Sequence, residues 1–139
     1  MSVIVTDTGF APDDWAHGFT NPEMLSEGPR PLHPGLDLPA DTAPGALEGL
    51  MRGAALIRIR FNQFSDGRGF TLARQLRRLG YGGRLRAVGH VLADQYAMAR
   101  RSGFDEVEID AALAARQPAA HWQFRADWRA HDYQSRLRG

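Results

Sequence analysis

Leu56-Ile57-Arg58-Ile59-Arg60-Phe61, followed closely by Phe64-Ser65-Asp66-Gly67-Arg68-Gly69-Phe70, decides the fold. The first six residues alternate apolar and charged side chains, which reads as a strand. The second stretch is a polar turn opening a helical pattern over Gly69–Leu79, apolar at Leu72, Ala73, Leu76 and Leu79 and ended by Gly80. Outward from there the unit repeats. Leu85-Arg86-Ala87-Val88 is a second strand, and Gly89-His90-Val91-Leu92-Ala93-Asp94-Gln95 turns into a helix over Ala93–Arg101, stopped by Gly103. Glu106-Val107-Glu108-Ile109 is a third strand, after which Asp110 caps an alanine-rich helix to about Arg116. This βαβαβ order implies an α/β fold with a small parallel sheet and right-handed crossovers. The two polar turns then lie at the carboxyl ends of neighbouring strands, where open α/β sheets place their ligand sites.

Alternation along the strands separates two faces. Ile57, Ile59, Phe61, Leu85, Ala87, Val107 and Ile109 share one, which the helices should cover; Arg58, Arg60, Arg84, Arg86, Glu106 and Glu108 share the other. A parallel sheet covered on both sides is normally apolar on both. Cross-strand Arg–Glu pairs offset part of this charge at roughly 0.2–1 kcal/mol each, but two adjacent arginine strands leave a surplus. The acidic N-terminal segment, a second copy of the chain, a bound anion or solvent would have to meet it, the first two being favoured.

The N-terminal segment supplies the opposite charge. Residues 1–51 hold eight acids against Arg30 alone, a net −7, whereas residues 52–139 hold sixteen arginines against eight acids, a net +8. Seven of the eight prolines fall within residues 12–44, which argues for an irregular arm. Val3-Ile4-Val5 reads as a short strand turning at Asp7-Thr8-Gly9, Trp15 and Phe19 as packing anchors, and Ala46–Met51 as a short helix. At 139 residues and 43% hydrophobic, the chain is expected to form one domain, with an arm over 1–51, a βαβαβ core over 52–117 and an aromatic, arginine-rich C-terminal segment over 118–139. The segment from His121 to Gln134 is expected to pack its aromatics onto the core or a partner subunit, since Asp127 and Asp132 dilute its charge for nucleic acid. No apolar run approaches the ~20 residues of a membrane span and no signal peptide is evident, so a soluble, cytoplasmic protein is expected. A sheet with one charged face makes a homodimer plausible.

Two absences exclude chemistry. With no cysteine the chain has no thiol nucleophile, redox disulfide or thiolate ligand. All 17 basic residues are arginine, so there is no Schiff-base lysine and no P-loop lysine. His17, His33, His90, His121 and His131 lack the close spacing of a metal site, and no intrinsic cofactor or metal is expected.

The candidate ligand residues sit in the two turns. Ser65 or Asp66 suits an N-cap, Gly67 and Gly69 permit tight backbone, and Arg68 adds a forked donor for sulfate, phosphate or carboxylate. The plain alternative is that Asp66 only caps the helix while Arg68 is solvated or pairs with Asp94. His90 could act as a base oriented by an aspartate, or be an ordinary loop residue. Asp66, Gly67, Arg68, Gly69, Arg86, Asp94 and Gln95 form the candidate anion or ligand set, with His90 the doubtful member and no catalytic residue assigned.

Together with Ala73-Arg74, Leu76-Arg77, Gly80-Tyr81, Leu85-Arg86-Ala87-Val88-Gly89, Val91-Leu92, Asp94-Gln95 and Gly103-Phe104, the stretch Phe64–Phe70 resembles a bacterial family of unknown function. Its members are commonly labelled oxidoreductases of sulfite reduction, and their genes tend to neighbour those of the sulfite reductase hemoprotein and of phosphoadenylyl-sulfate reductase. The match is specific over residues 54–110, and Tyr133-Gln134 looks like the family's ending. The family usually has an acid where this chain has His90, which weakens His90 as a base, and another where it has Arg84. The resemblance implies an accessory protein of assimilatory sulfite reduction, binding a small oxyanion or a partner reductase at the carboxyl edge. The partner would be the hemoprotein or phosphoadenylyl-sulfate reductase, since electron transfer would need a cofactor or partner beyond these side chains. The alternatives are a small α/β enzyme acting on a phosphorylated or sulfated metabolite and a non-catalytic structural subunit.

Overall fold

The computed structural model describes residues 2–16, 18–22, 35–63 and 67–124. Their centre is a seven-stranded sheet of order β2-β1-β7-β6-β5-β4-β3. The strands are β1 (Ser2–Thr6), β2 (Gly9–Pro12), β3 (Phe19–Thr20), β4 (Gly35–Pro39), β5 (Leu56–Phe61), β6 (Arg84–Gly89) and β7 (Glu106–Asp110). From β3 to β7 the sheet is parallel; β1 runs antiparallel to both β7 and β2. The helices are α1 (Leu47–Met51), α2 (Arg68–Arg78), α3 (Tyr96–Ser102), α4 (Ala111–Arg116) and α5 (Ala119–Phe124), and 3₁₀ turns at Pro44–Ala46 and Ala93–Gln95 lead into α1 and α3.

The α/β class, the parallel βαβαβ core and the split between an apolar and a charged face are all present. Ile57, Ile59, Leu85, Ala87 and Val107 pack with Leu47 of α1, Leu72, Ala73 and Leu76 of α2, Tyr96 and Ala99 of α3 and Trp122 of α5 in one buried cluster. Gly69 is where α2 meets the sheet: a Cβ there would come within 2.3 Å of the Phe61 ring, so packing requires the glycine, not turn geometry. Asp110 caps α4 as expected, its Oδ1 accepting from the Leu113 N–H at 2.7 Å. Trp122 is fully buried with its edge toward Tyr96, and its indole N–H donates to the Gln117 carbonyl. Of the C-terminal segment, residues 125–139 lie outside the described residues.

The arm differs from expectation. It supplies four strands, and β4 is interior to the sheet, between β3 and β5. Leu36 and Leu38 of β4 are buried in the core, while Pro39 occupies its last position, where loss of a ladder donor is tolerated. The dense prolines therefore flank a strand instead of forbidding one. The helix starts also shift. Gly67, not Ser65 or Asp66, is the N-cap of α2 and provides no side-chain cap; Ser65 and Asp66 lie outside the described residues. Helix α3 begins at Tyr96, because Ala93–Gln95 forms the tighter turn.

The charged face is a buried ionic lattice. Register places Arg58 beside Arg86 and Arg86 beside Glu106, with Glu108 next to Val88 and Ile4. Arg86 is 0% exposed. Its Nε donates to Glu106 at 2.6 Å, and its Nη1 donates to Glu108 at 3.0 Å and to Asp13 at 3.2 Å. Arg84 bridges Glu106 at 2.7 Å and Asp14 at 2.9 Å; its hydrogen bond holds the Asp14 carboxyl below the ordinary carboxylate range. Arg58 reaches Asp37 at 3.1 Å and Glu108 at 3.2 Å, with the Phe19 ring 3.7 Å from its guanidinium. Burial alone would make Arg58 less basic, but its two carboxylates outweigh that and raise it. The acidic arm, through Asp13, Asp14 and Asp37, thus meets the arginine face within the same chain.

Candidate anion-binding site

Where β5, β6 and β7 end, the charged face opens into a concavity of about 470 Å³, lined by Ser2, Arg60, Val88, Gly89, His90, Glu108, Ile109, Asp110, Leu113 and Arg116. Each wall follows from the local sequence. Arg60 points to the charged face because it alternates with Ile59 and Phe61 in β5. Gly89, at φ +104°, lets β6 end hard against β5; a Cβ there would lie 2.5 Å from the Phe61 carbonyl oxygen. That approach allows the His90 N–H to donate to the same carbonyl at 3.0 Å and sets His90 at the rim. Helix α4 turns back at Asp110 and brings Leu113 and Arg116 to the far wall.

The two carboxylates here have internal partners. Glu108 accepts from Arg58, Arg86 and the Ser2 hydroxyl, and Asp110 accepts from Leu113 N–H. Arg60 shares Asp37 with Arg58, at 3.2 Å, while remaining 45% exposed. Arg116 is exposed and has no ion pair among the described residues. The cavity therefore presents two exposed guanidiniums and an imidazole beside Glu108, whose charge is balanced by Arg58 and Arg86, and Asp110, which is held by a backbone N–H; the forked donors of Arg60 and Arg116 are suited to a small anion.

The residues singled out from the sequence divide. Arg68 is exposed at the start of α2 and lines a different concavity, of about 260 Å³, with Asp41, Thr42, Pro44 and Thr71. Asp94 is exposed in the turn before α3, and Gln95 returns its Oε1 to the Leu92 N–H at 2.9 Å, closing that turn. Gly67 and Gly69 start α2, and Arg86 lies under the sheet among carboxylates. Among the described members, only His90, the doubtful one, lines the cavity at the ends of β5, β6 and β7; Asp66 lies outside the described residues. Arg60 and Arg116 line that cavity without having been singled out from the sequence; the available signal for Arg60 is its place at the carboxyl end of a strand, on the face opposite Ile59.

Fold and site together define a small, mostly parallel α/β protein with a ligand-sized, polar concavity rimmed by arginines at the carboxyl edge of its sheet. The chain belongs to a family described as bacterial protein of unknown function (DUF934), whose model matches residues 35–139, from the first residue of β4 onward. No curated protein and no solved structure matches it. Among the described residues, no helix is long and apolar enough to cross a membrane, and no group of three or more His, Asp or Glu is placed to hold a metal ion.

Proposed function

We propose that this chain is an accessory protein of assimilatory sulfite reduction that binds a small oxyanion at the carboxyl edge of its sheet. The observation that carries the binding is the concavity between Arg60 and Arg116, in which the buried acid, Glu108, is already paired with Arg58 and Arg86. A planar or tetrahedral oxyanion fits two forked guanidiniums, with His90 at the rim. The pathway rests on the family resemblance. The accessory role rests on the side-chain inventory: without a thiol couple or a lysine, the chain would hold or present the anion while a partner reductase supplies the electrons.

Titration calorimetry of the full chain with sulfite, sulfate and phosphate tests the binding. Sulfite or sulfate should bind, and Arg116→Gln or Arg60→Gln should weaken it about ten-fold or more, the scale of one lost charge-assisted hydrogen bond. Equal affinity in both variants would remove the site. A deletion strain grown on sulfate against cysteine tests the pathway, and undiminished growth on sulfate would refute it.

A further inference from the structure

The outer layer of the molecule carries a second charged surface unrelated to the ionic lattice. Helices α2 and α3 together hold six arginines and no acid. Two of the six serve the fold. Arg77 donates to the carbonyls of Gly103, Tyr81 and Gly83 and to Asp105, and Arg100 donates to the Phe104 carbonyl and to Asp7. Arg74, Arg78 and Arg101 do not: all three are exposed and have no ion pair among the described residues. They belong to one surface, because the Arg77–Gly103 contacts bring the carboxyl ends of α2 and α3 together. Cations in a last helical turn complement the helix dipole, which accounts for Arg78 and Arg101 singly; it does not account for Arg74 or for the lack of any acid on either helix.

The same surface holds Leu79, 42% exposed, and Met98, 43% exposed, the two large hydrophobic side chains left exposed among the described residues. Leu79 follows Arg78 and Met98 lies one turn before Arg101, so the apolar contacts sit among the guanidiniums. Arginine and methionine enrichment with an apolar centre is the composition of a protein–protein interface. A nucleic-acid surface would be expected to offer stacking rings and a strongly basic chain; the exposed residues of α2 and α3 include no aromatic, and the formal net charge is +1.

We infer that the α2/α3 face, built from Arg74, Arg78, Arg101, Leu79 and Met98, docks an acidic surface of a partner protein. The inference stands without the oxyanion site, which lies at the carboxyl edge of the sheet, whereas this face centres on the opposite ends of the helices. The test is fluorescence anisotropy of a labelled acidic peptide of alternating glutamate and leucine, a single-stranded oligonucleotide of equal charge, and anionic vesicles, each titrated with the full chain. The peptide should bind, weaken with added salt, and lose about ten-fold or more in affinity in Arg74→Gln/Arg78→Gln/Arg101→Gln. A second variant, Leu79→Ser/Met98→Ser, should lose a smaller factor. Arg52→Gln/Arg116→Gln, which removes charge elsewhere, should keep peptide binding but lose sulfite binding, and the triple variant should do the reverse. Circular dichroism confirms folding of each variant. No peptide binding by the native chain, unchanged affinity in the triple variant, or tighter binding of the oligonucleotide or vesicles would overturn the proposal.

Discussion

Replacing Arg86 by methionine tests the buried lattice most directly. The methionine fills much of the aliphatic stem's volume, so the change is chiefly electrostatic. In the native fold Arg86 is fully buried and faces Glu106 at 2.6 Å and Glu108 at 3.0 Å, both nearly buried themselves. Removing one partner of a buried pair costs about 3–5 kcal/mol, because the remaining charge is left desolvated and unbalanced. Glu106 would retain Arg84 at 2.7 Å and Glu108 would retain Arg58 at 3.2 Å, so the lower end, about 3 kcal/mol, is expected. For a domain of this size that is a fall of about 10 °C in Tm. Urea denaturation followed by far-UV circular dichroism, with an unchanged slope, measures it. In Arg86→Met/Glu106→Gln the loss should be smaller than the sum of the single losses by about 1–3 kcal/mol, since the orphaned charge is then gone. A loss below about 1 kcal/mol for Arg86→Met, or strict additivity in the double variant, would show that water reaches these carboxylates and that the lattice is not buried in solution.

Three further expectations follow from single side chains. Burial, with the Asp105 carboxylate adding to it against the opposing pull of Arg77, raises the Tyr81 phenol from 10.0 to about 12; a raised folded pKa means stability fully present below pH 10 and lost as pH climbs toward 12. The shift corresponds to about 3 kcal/mol, so alkaline urea melts should lose less stability in that window for Tyr81→Phe than for the native chain, and parallel curves would contradict the burial. Gly69→Ala should destabilise by about 1–3 kcal/mol because its Cβ meets the Phe61 ring, whereas Gly49→Ala, with open space around it in α1, should stabilise by about 0.5–1 kcal/mol; thermal melts that rank the two the other way would refute the packing. Asp110→Ala removes the cap of α4 and should cost about 1 kcal/mol in urea melts; no loss would show that the Asp110–Leu113 hydrogen bond does not hold the helix start.

Much of the core was legible because its elements obey short-range rules. Strand β5 falls at Leu56–Phe61 as read, and α4 begins at the cap Asp110 supplies. Strand β4 was hidden for a physical reason: five residues between prolines offer too short a pattern to outweigh the local turn signals, and only pairing with β5 stabilises them. The geometry of the candidate site was legible only in part: a concavity does lie at the carboxyl edge, but the two turns do not line one cavity. Arg68 instead faces the loop after β4, while the wall opposite Arg60 comes from Arg116, whose approach depends on how α4 turns back over β7. No spacing in the sequence encodes that angle.

The lattice also explains how a nearly neutral chain can present two basic surfaces. Asp13, Asp14 and Asp37 are drawn onto the sheet, where with the buried Glu106 and Glu108 they balance Arg58, Arg84 and the fully buried Arg86. Asp7 is likewise taken by Tyr96 and Arg100, and Asp105 by Arg77. Acids committed to internal partners do little to neutralise the periphery, and among the described residues the arginines without an ion pair are surface ones: Arg116 at the carboxyl edge and Arg74, Arg78 and Arg101 on the helix layer. Net charge conceals this sorting, because part of the negative charge is engaged by the sheet while these arginines are displayed. An anion at one end and an acidic protein surface at the other are what we propose such a distribution attracts, and added salt should weaken both, since exposed charges are screened by mobile ions over about 8–10 Å at physiological ionic strength.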